Sequence, residues 1–259
     1  MGDYDFILKN MRFSYSNINS FSTCKYGWFL NYIEHLDRIS NCFADFGLIC
    51  HRTLELFFKG KLEIYELAEY YKNNYYNFVT EPFPPFGNMA NTYYQDGLDF
   101  FENFKFDKTK YDILQIEKEI NTIYFGNKII AKPDIVLKNK KNKNIILLDY
   151  KTSKLKGTKQ DDKKLEEYRR QMEIYTHFIW QEDKIEINKI FLWFIRNKKI
   201  VELDVNPMKI IDSLNWLDEG IENIKKETEW LPNNTKENKF FCFNLCSMRN
   251  QCNYKEEIY

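Results

Sequence analysis

The sequence predicts an α/β fold with a mostly helical N-terminal region, and two observations lead to it. Apolar residues recur at helical intervals through roughly the first hundred positions, whereas from Tyr111 onward short apolar runs are bounded by turn-forming residues. The 259 residues can bury a sizeable core. With 44% hydrophobic and 29% charged residues the composition is globular. Apolar runs all stop short of the roughly 20 residues that span a bilayer, which excludes a transmembrane helix.

Each element follows in order. Ser16 is positioned to cap a helix with apolar residues at Ile18, Phe21, Trp28, Phe29 and Ile33, and Cys24 falls inside it. A second helix over about residues 43–58 carries Gly47, His51 and Glu55, and Gly60 ends it. Helices around 65–78 and 91–104 flank a proline-rich break at 81–87. A β segment then runs from Tyr111 through Ile113, Ile120, Ile123 and Tyr124 to a Gly126-Asn127 turn, and 128–137 returns as a second strand. The Asn- and Lys-rich segment 139–144 is a polar turn into Ile145-Ile146-Leu147-Leu148-Asp149-Tyr150-Lys151, which completes a three-stranded meander. A charged linker over 154–164 leads to a helix through Gln171 and Tyr175. Strands near 187–195 and 200–205 and a helix over about 207–224 follow, and a polar tail after Pro232 reaches Cys242, Cys246 and Cys252.

Charge and cysteine usage narrow the function classes. Thirty-eight basic and thirty-eight acidic residues cancel, so bulk charge does not favour nucleic acid, while a local basic groove stays open. The N-terminus has no basic flank followed by an apolar stretch and a small-residue cleavage site, so no signal peptide is expected and the expected location is cytoplasmic. In such a compartment six cysteines read as metal ligands, reactive groups or small core residues before disulfides.

The chemistry concentrates around residues 134–151. Alternate strand residues share a face, so Asp149 and Lys151 point one way and Tyr150 the other. A turn symmetric about Lys141 and Asn142 sets Asp134 opposite Asp149. Directly opposed residues sit about 4.5–5.5 Å apart at Cβ, and two like charges there need neutralising. A divalent cation with oxygen ligands, magnesium or manganese, would do this and could activate water for attack on phosphorus. Lys151 could orient or deprotonate that water or balance charge on the phosphate. Taken alone, these residues also fit a surface hairpin with a weak Asp149–Lys151 ion pair. His51 shares a helix face with Glu55, and Gln171 and Tyr175 lie one turn apart. By default all of these are packing or surface residues.

Together the residues Gly47-x-x-x-His51, Pro133-Asp134, Asp149-Tyr150-Lys151-Thr152 and Gln171-x-x-x-Tyr175, in that order, resemble the RecB-like nucleases of the PD-(D/E)XK superfamily. One cysteine near the N-terminus and three near the C-terminus further resemble its iron–sulfur branch, which contains CRISPR-associated RecB-type exonucleases and AddB-type nuclease domains. The resemblance spans Cys24 to Cys252. It implies a restriction-endonuclease-like core sheet flanked by helices and a C-terminal cysteine clasp. It also implies a single nuclease domain with a helical part over 1–110, a catalytic core over 111–230 and a cysteine-containing tail over 231–259. His51, Asp134, Asp149 and the backbone carbonyl of Tyr150 are then the ligands of magnesium or manganese. Lys151 is the catalytic lysine, and Gln171 and Tyr175 lie near the active site and the DNA path.

Cys24, Cys242, Cys246 and Cys252 supply four thiolates, the number that holds a 4Fe-4S cluster or a zinc ion. The resemblance favours the cluster, in a structural role. The family usually has two residues between the first two C-terminal cysteines, whereas this chain has Phe243, Asn244 and Leu245. The five-residue spacing to Cys252 is the family's own. Cys42 and Cys50 read as small buried residues.

The expected function is a metal-dependent DNA exonuclease acting on single-stranded ends in recombination, repair, phage replication or CRISPR spacer acquisition. Lysines and arginines of 154–170 and exposed aromatics are candidates for gripping the strand. The alternative is a nucleic-acid-binding or scaffolding partner of a recombinase or integrase that does not cut. The length leaves no room for a motor, so a helicase, recombinase or integrase partner is expected to be a separate chain.

Overall fold

The computed structural model describes residues 4–257. The elements in chain order are α1 (Asp5–Asn10), β1 (Arg12–Phe13), α2 (Tyr15–Thr23), α3 (Lys25–Tyr32), α4 (Cys42–Phe58), α5 (Leu67–Phe78) and α6 (Met89–Glu102). Then come β2 (Tyr111–Ile116), β3 (Ile120–Tyr124), β4 (Asn127–Ala131), β5 (Ile135–Asn139), β6 (Ile145–Lys151), α7 (Lys159–Asp183), β7 (Lys189–Phe194), β8 (Lys199–Leu203) and α8 (Pro207–Lys226). The chain forms two compact units. One takes the chain up to Asn41, the segment Asn121–Ala131 and everything from Leu214 onward; the other takes Cys42–Ile120 and Lys132–Ser213.

The second unit holds a mixed five-stranded sheet in the order β2-β5-β6-β7-β8, flanked by helices as the sequence predicts. Strands β2, β5 and β6 are antiparallel neighbours, β7 is parallel to β6, and β8 is antiparallel to β7. The parallel pair requires a crossover, and α7 supplies it. Central β6 is buried on both faces. Its Ile146, Leu148 and Tyr150 join an aromatic core with α4, α5 and α6, in which Phe46, Tyr71, Phe100 and Phe101 are essentially inaccessible. Helix α4 ends as expected at Gly60 (φ +69°). The Gly60 amide bonds the Phe57 carbonyl and the Lys61 amide bonds the Leu56 carbonyl at 2.8 Å, a Schellman closure that needs a left-handed residue.

The meander expected over 111–151 is corrected. Its outer parts pair in the main sheet, but β3 and β4 leave it and form a hairpin in a separate sheet of order β1-β4-β3 in the first unit. The single strand read over 128–137 breaks at Lys132-Pro133-Asp134, because proline has no amide to continue a ladder. The hairpin between β3 and β4 is present, but its turn lies one residue earlier than the Gly126-Asn127 reading: Phe125 and Gly126, both with positive φ, form it, and Asn127 already belongs to β4.

Two further boundaries move. The helix read from Ser16 to Ile33 is α2 and α3, and Ser14, not Ser16, caps the first by accepting from the Asn17 amide at 3.1 Å. Cys24 stands between them in extended conformation and caps α3. The linker over 154–164 is shorter than expected: α7 starts at Lys159, fixed by a capping box between Thr158 and Asp161. Among the described residues no helix is long and apolar enough to cross a membrane.

Helices α4, α5 and α6 pack tightly at Gly97, where a Cβ would overlap the Tyr71 phenol and come within 3.0 Å of the Phe46 ring. Tyr71 is itself held by a 3.2 Å bond to the Tyr94 carbonyl. In an open helix Gly→Ala would gain roughly 1 kcal/mol. Here Gly97→Ala is expected to lower stability by about 1–3 kcal/mol through overpacking, measured by thermal or denaturant unfolding. A variant as stable as the parent would contradict this packing.

Candidate active site and cysteine centre

The β5–β6 register pairs Ile135 with Leu148, so the residue before β5 and the residue after Leu148 meet at the sheet end. There Asp134 Oδ2 accepts from the Tyr150 amide at 2.7 Å. Asp134, Asp149 and Lys151 are 8%, 4% and 9% exposed, which makes this a buried cluster of charges and excludes the surface-hairpin alternative. Such groups are tolerated only when paired. Lys151 Nζ lies 2.6 Å from Asp149 Oδ2 and donates to Gln171 Oε1 at 2.8 Å, and Gln171 Nε2 donates to the Tyr175 hydroxyl at 3.0 Å. Gln171 and Tyr175, one turn apart on α7, thus form a relay ending on the lysine.

Helix α4 brings His51 to the same place. Gly47, one turn earlier, faces the chain just past β6, where a Cβ would make ordinary contact with Thr152 Oγ1 at 3.6 Å. His51 Nδ1 is 3.4 Å from Asp134 Oδ1 and 4.0 Å from Glu117 Oε1. Its ring meets the buried Tyr150 ring edge-on, with centroids 5.8 Å apart. Glu55, which shares the helix face, is paired with Arg52 at 2.8 Å and Lys59 at 2.5 Å.

Glu117 is one residue that sequence reasoning missed. It follows β2 in a left-handed conformation (φ +50°), and its amide bonds the Asp134 carbonyl at 2.8 Å. Its other carboxylate oxygen pairs with Lys132 at 2.6 Å. In sequence, Glu117-Lys118-Glu119 is an ordinary polar turn, and only the backbone turn aims the carboxylate inward. One donor atom each from His51, Glu117 and Asp134 lies within 4.8 Å of the others. A cavity of about 530 Å³ opens on them, with Leu48 and Phe78 in its walls.

The charges shape one another. Burial alone would lower the His51 pKa, but the charge and hydrogen bond of Asp134, with Asp149 and Glu117, raise it to about 9. Burial pushes Asp134 up, yet the imidazole, the Tyr150 amide and Lys151 hold it below the usual carboxylate range. Asp149 is pushed up to about 6 by burial and by Asp134, only partly offset by Lys151 and His51. Two oxygens and an imidazole nitrogen this close suit a small hard cation, whose neighbouring ligands stand about 3 Å apart in an octahedron. Such a cation would displace the His51 proton. Asp149 is adjacent but turned to Lys151.

Tyr168 is a second missed residue. Its ring centroid lies 4.4 Å from Lys151 Nζ and 5.9 Å from Lys164 Nζ. It precedes Gln171 by three positions on α7, so helical spacing from the Gln171-Tyr175 motif could have found it. Of the basic segment 154–170, Lys154 faces Asp96 at 3.8 Å and Arg169 faces Glu166 at 3.4 Å.

In the first unit Cys24, Cys242, Cys246 and Cys252 line one small cavity of about 20 Å³, and no disulfide joins them. The Gly27 and Asn233 amides point at Cys24 Sγ at 3.4 and 3.5 Å. A Cβ on Gly27 would lie 3.7 Å from the sulfurs of both Cys24 and Cys246 and fill the space between them. The three intervening residues Phe243, Asn244 and Leu245 are absorbed in a π-helical turn, Phe241–Leu245, closed by a 2.9 Å bond from the Cys246 amide to the Phe241 carbonyl. Burial raises the Cys246 thiol to about 11, with the neighbouring cysteines adding to it. Four cysteines that gave up their protons here would need a cationic centre to offset one another, and four thiolates are the number that holds an iron–sulfur cluster or a zinc ion. Cys42 and Cys50 are fully buried and pack in the other unit.

The model of the PD-(D/E)XK nuclease superfamily matches residues 12–253. A crystal structure of a "putative exonuclease" from Eubacterium rectale aligns over 96% of this chain and 91% of its own at 16% identity, with a TM-score of 0.55, a likeness of fold. A second solved structure, SSO0001, aligns over 97% of this chain and 96% of its own at 16% identity, with a TM-score of 0.38, too low to bear on the fold. No curated protein matches the sequence significantly. Matched along nearly its entire length and carrying a mixed, helix-flanked sheet of the restriction-endonuclease-like kind, the chain belongs to the PD-(D/E)XK nuclease superfamily.

Proposed function

We propose that this chain is a magnesium- or manganese-dependent deoxyribonuclease that hydrolyses phosphodiester bonds at DNA ends, single-stranded ends above all. The observation that carries the reading is the buried convergence of His51, Glu117 and Asp134 beside an Asp149–Lys151 pair held by Gln171 and Tyr175. His51, Glu117 and Asp134 would hold the cation, joined by Asp149 and the Tyr150 backbone carbonyl. When bound, the cation supplies charge neutralisation at the phosphate and a lower pKa for the attacking water.

The chain's own groups do the rest. An ammonium has three donors; Lys151 gives one to Gln171 and is paired with Asp149, which leaves donor capacity for the reacting phosphate or water. Lys151 thereby stabilises charge that develops on the phosphate and orients the attacking water. Gln171 and Tyr175 keep its direction. The name exonuclease borne by the Eubacterium rectale protein of similar fold favours attack at ends. A separate helicase, recombinase or integrase would deliver the strand.

The same reading makes both units parts of one nuclease domain, with Cys24, Cys242, Cys246 and Cys252 holding a structural 4Fe-4S cluster, zinc being the alternative. Support comes from the open space beside Gly27 and the π-helical turn that lets Cys242 and Cys246 face one cavity.

Three outcomes test these assignments. Asp149→Ala and Lys151→Ala should each lower degradation of end-labelled single-stranded DNA by about 100-fold or more while the protein stays folded; parent-like rates would reject the catalytic assignment. Manganese binding followed by calorimetry should weaken about tenfold or more in Glu117→Gln, and an unchanged isotherm would remove Glu117 from the site. Anaerobically purified protein should contain iron and sulfide that Cys246→Ala loses. Zinc without sulfide would replace the cluster assignment, and absence of any metal would reject the centre.

A further inference from the structure

We propose that Tyr168 is a positioning residue for the catalytic lysine: its ring face carries the Lys151 ammonium between Asp149 and Gln171. The inference rests on the nuclease reading and deepens it. A lysine side chain is a flexible four-carbon stem with a compact charge, so directed chemistry requires that it be held from several sides. Asp149 Oδ2 at 2.6 Å and Gln171 Oε1 at 2.8 Å hold Lys151 from two. The Tyr168 ring, 4.4 Å from Nζ to centroid, supplies a third contact through its negative face and takes no hydrogen-bond donor.

The ring is itself fixed. Its hydroxyl and Ser153 Oγ are 3.0 Å apart, tying it to the chain two residues past Lys151, and Phe194 of β7 packs against it with centroids 6.1 Å apart. It stands on α7 three positions before Gln171, so one helix face delivers both the ring and the amide to the lysine. An aliphatic residue of similar size could fill this half-buried position but has no negative face to offer. A group displaced by about 1 Å can lose up to roughly 100-fold in rate, which is why the third contact matters.

The test is steady-state degradation of end-labelled single-stranded DNA with manganese, comparing the full-length parent with Tyr168→Phe, Tyr168→Leu and Lys151→Ala, each checked for an unchanged melting temperature. Tyr168→Leu is expected to lower kcat about tenfold, the kinetic equivalent of losing a desolvated cation–π contact, with KM within about twofold. Tyr168→Phe keeps the ring and is expected to restore kcat to within about threefold of the parent. Parent-like kcat in Tyr168→Leu, or equal loss in the Phe and Leu variants, overturns the positioning role while leaving the nuclease reading intact. A parent no more active than Lys151→Ala overturns the nuclease reading, and this inference with it.

Discussion

Two carboxylates buried side by side at the end of the β5–β6 pair are the constraint on which the candidate site depends. Asp134 and Asp149 both lose most of their water, and the charge of Asp134 makes ionisation of Asp149 harder. Left alone the pair would protonate or open the sheet. Instead, each neighbouring element contributes a compensating group: β6 its own Lys151 and the Tyr150 amide, α4 the His51 imidazole, and α7 the Gln171 amide that steadies the lysine. Glu117 adds a third carboxylate to this crowd. A fold selected only for stability would have little reason to bring another negative charge there. A site that recruits a divalent cation has one.

The cysteine centre obeys the same logic with different chemistry. Cys24 gives its thiol at a helix cap and Cys246 at the end of a π turn, and burial raises the latter's pKa. Thiols brought together in this way are poorly accommodated as bare thiolates. A centre bridging them would join the segment around α3 to the C-terminal segment within the first unit, where the Asn41 side chain also donates to the Leu245 carbonyl.

Much of this was legible in the residues because it follows from period and register. The two-residue period of β6 gives the shared face of Asp149 and Lys151, and a turn centred near Lys141 and Asn142 leads to the observed pairing of Ile135 with Leu148. The four-residue spacing of Gln171 and Tyr175 gives their hydrogen bond. What escaped depended on three-dimensional choices with weak local signals. The strands around Ile120 and Asn127 look like the others but leave the main sheet, the second of them pairing with Arg12 and Phe13, more than a hundred residues away. Glu117 points inward only because its backbone is left-handed, and the α2–α3 break at Cys24 is hidden inside a continuous helical pattern.

The most direct measurement is the anomalous difference density of crystals soaked in manganese. The expected result is a peak bounded by His51, Glu117 and Asp134, with the imidazole turned from its contact with Asp134 toward the ion. Density absent from this position, with His51 still paired to Asp134, would contradict it.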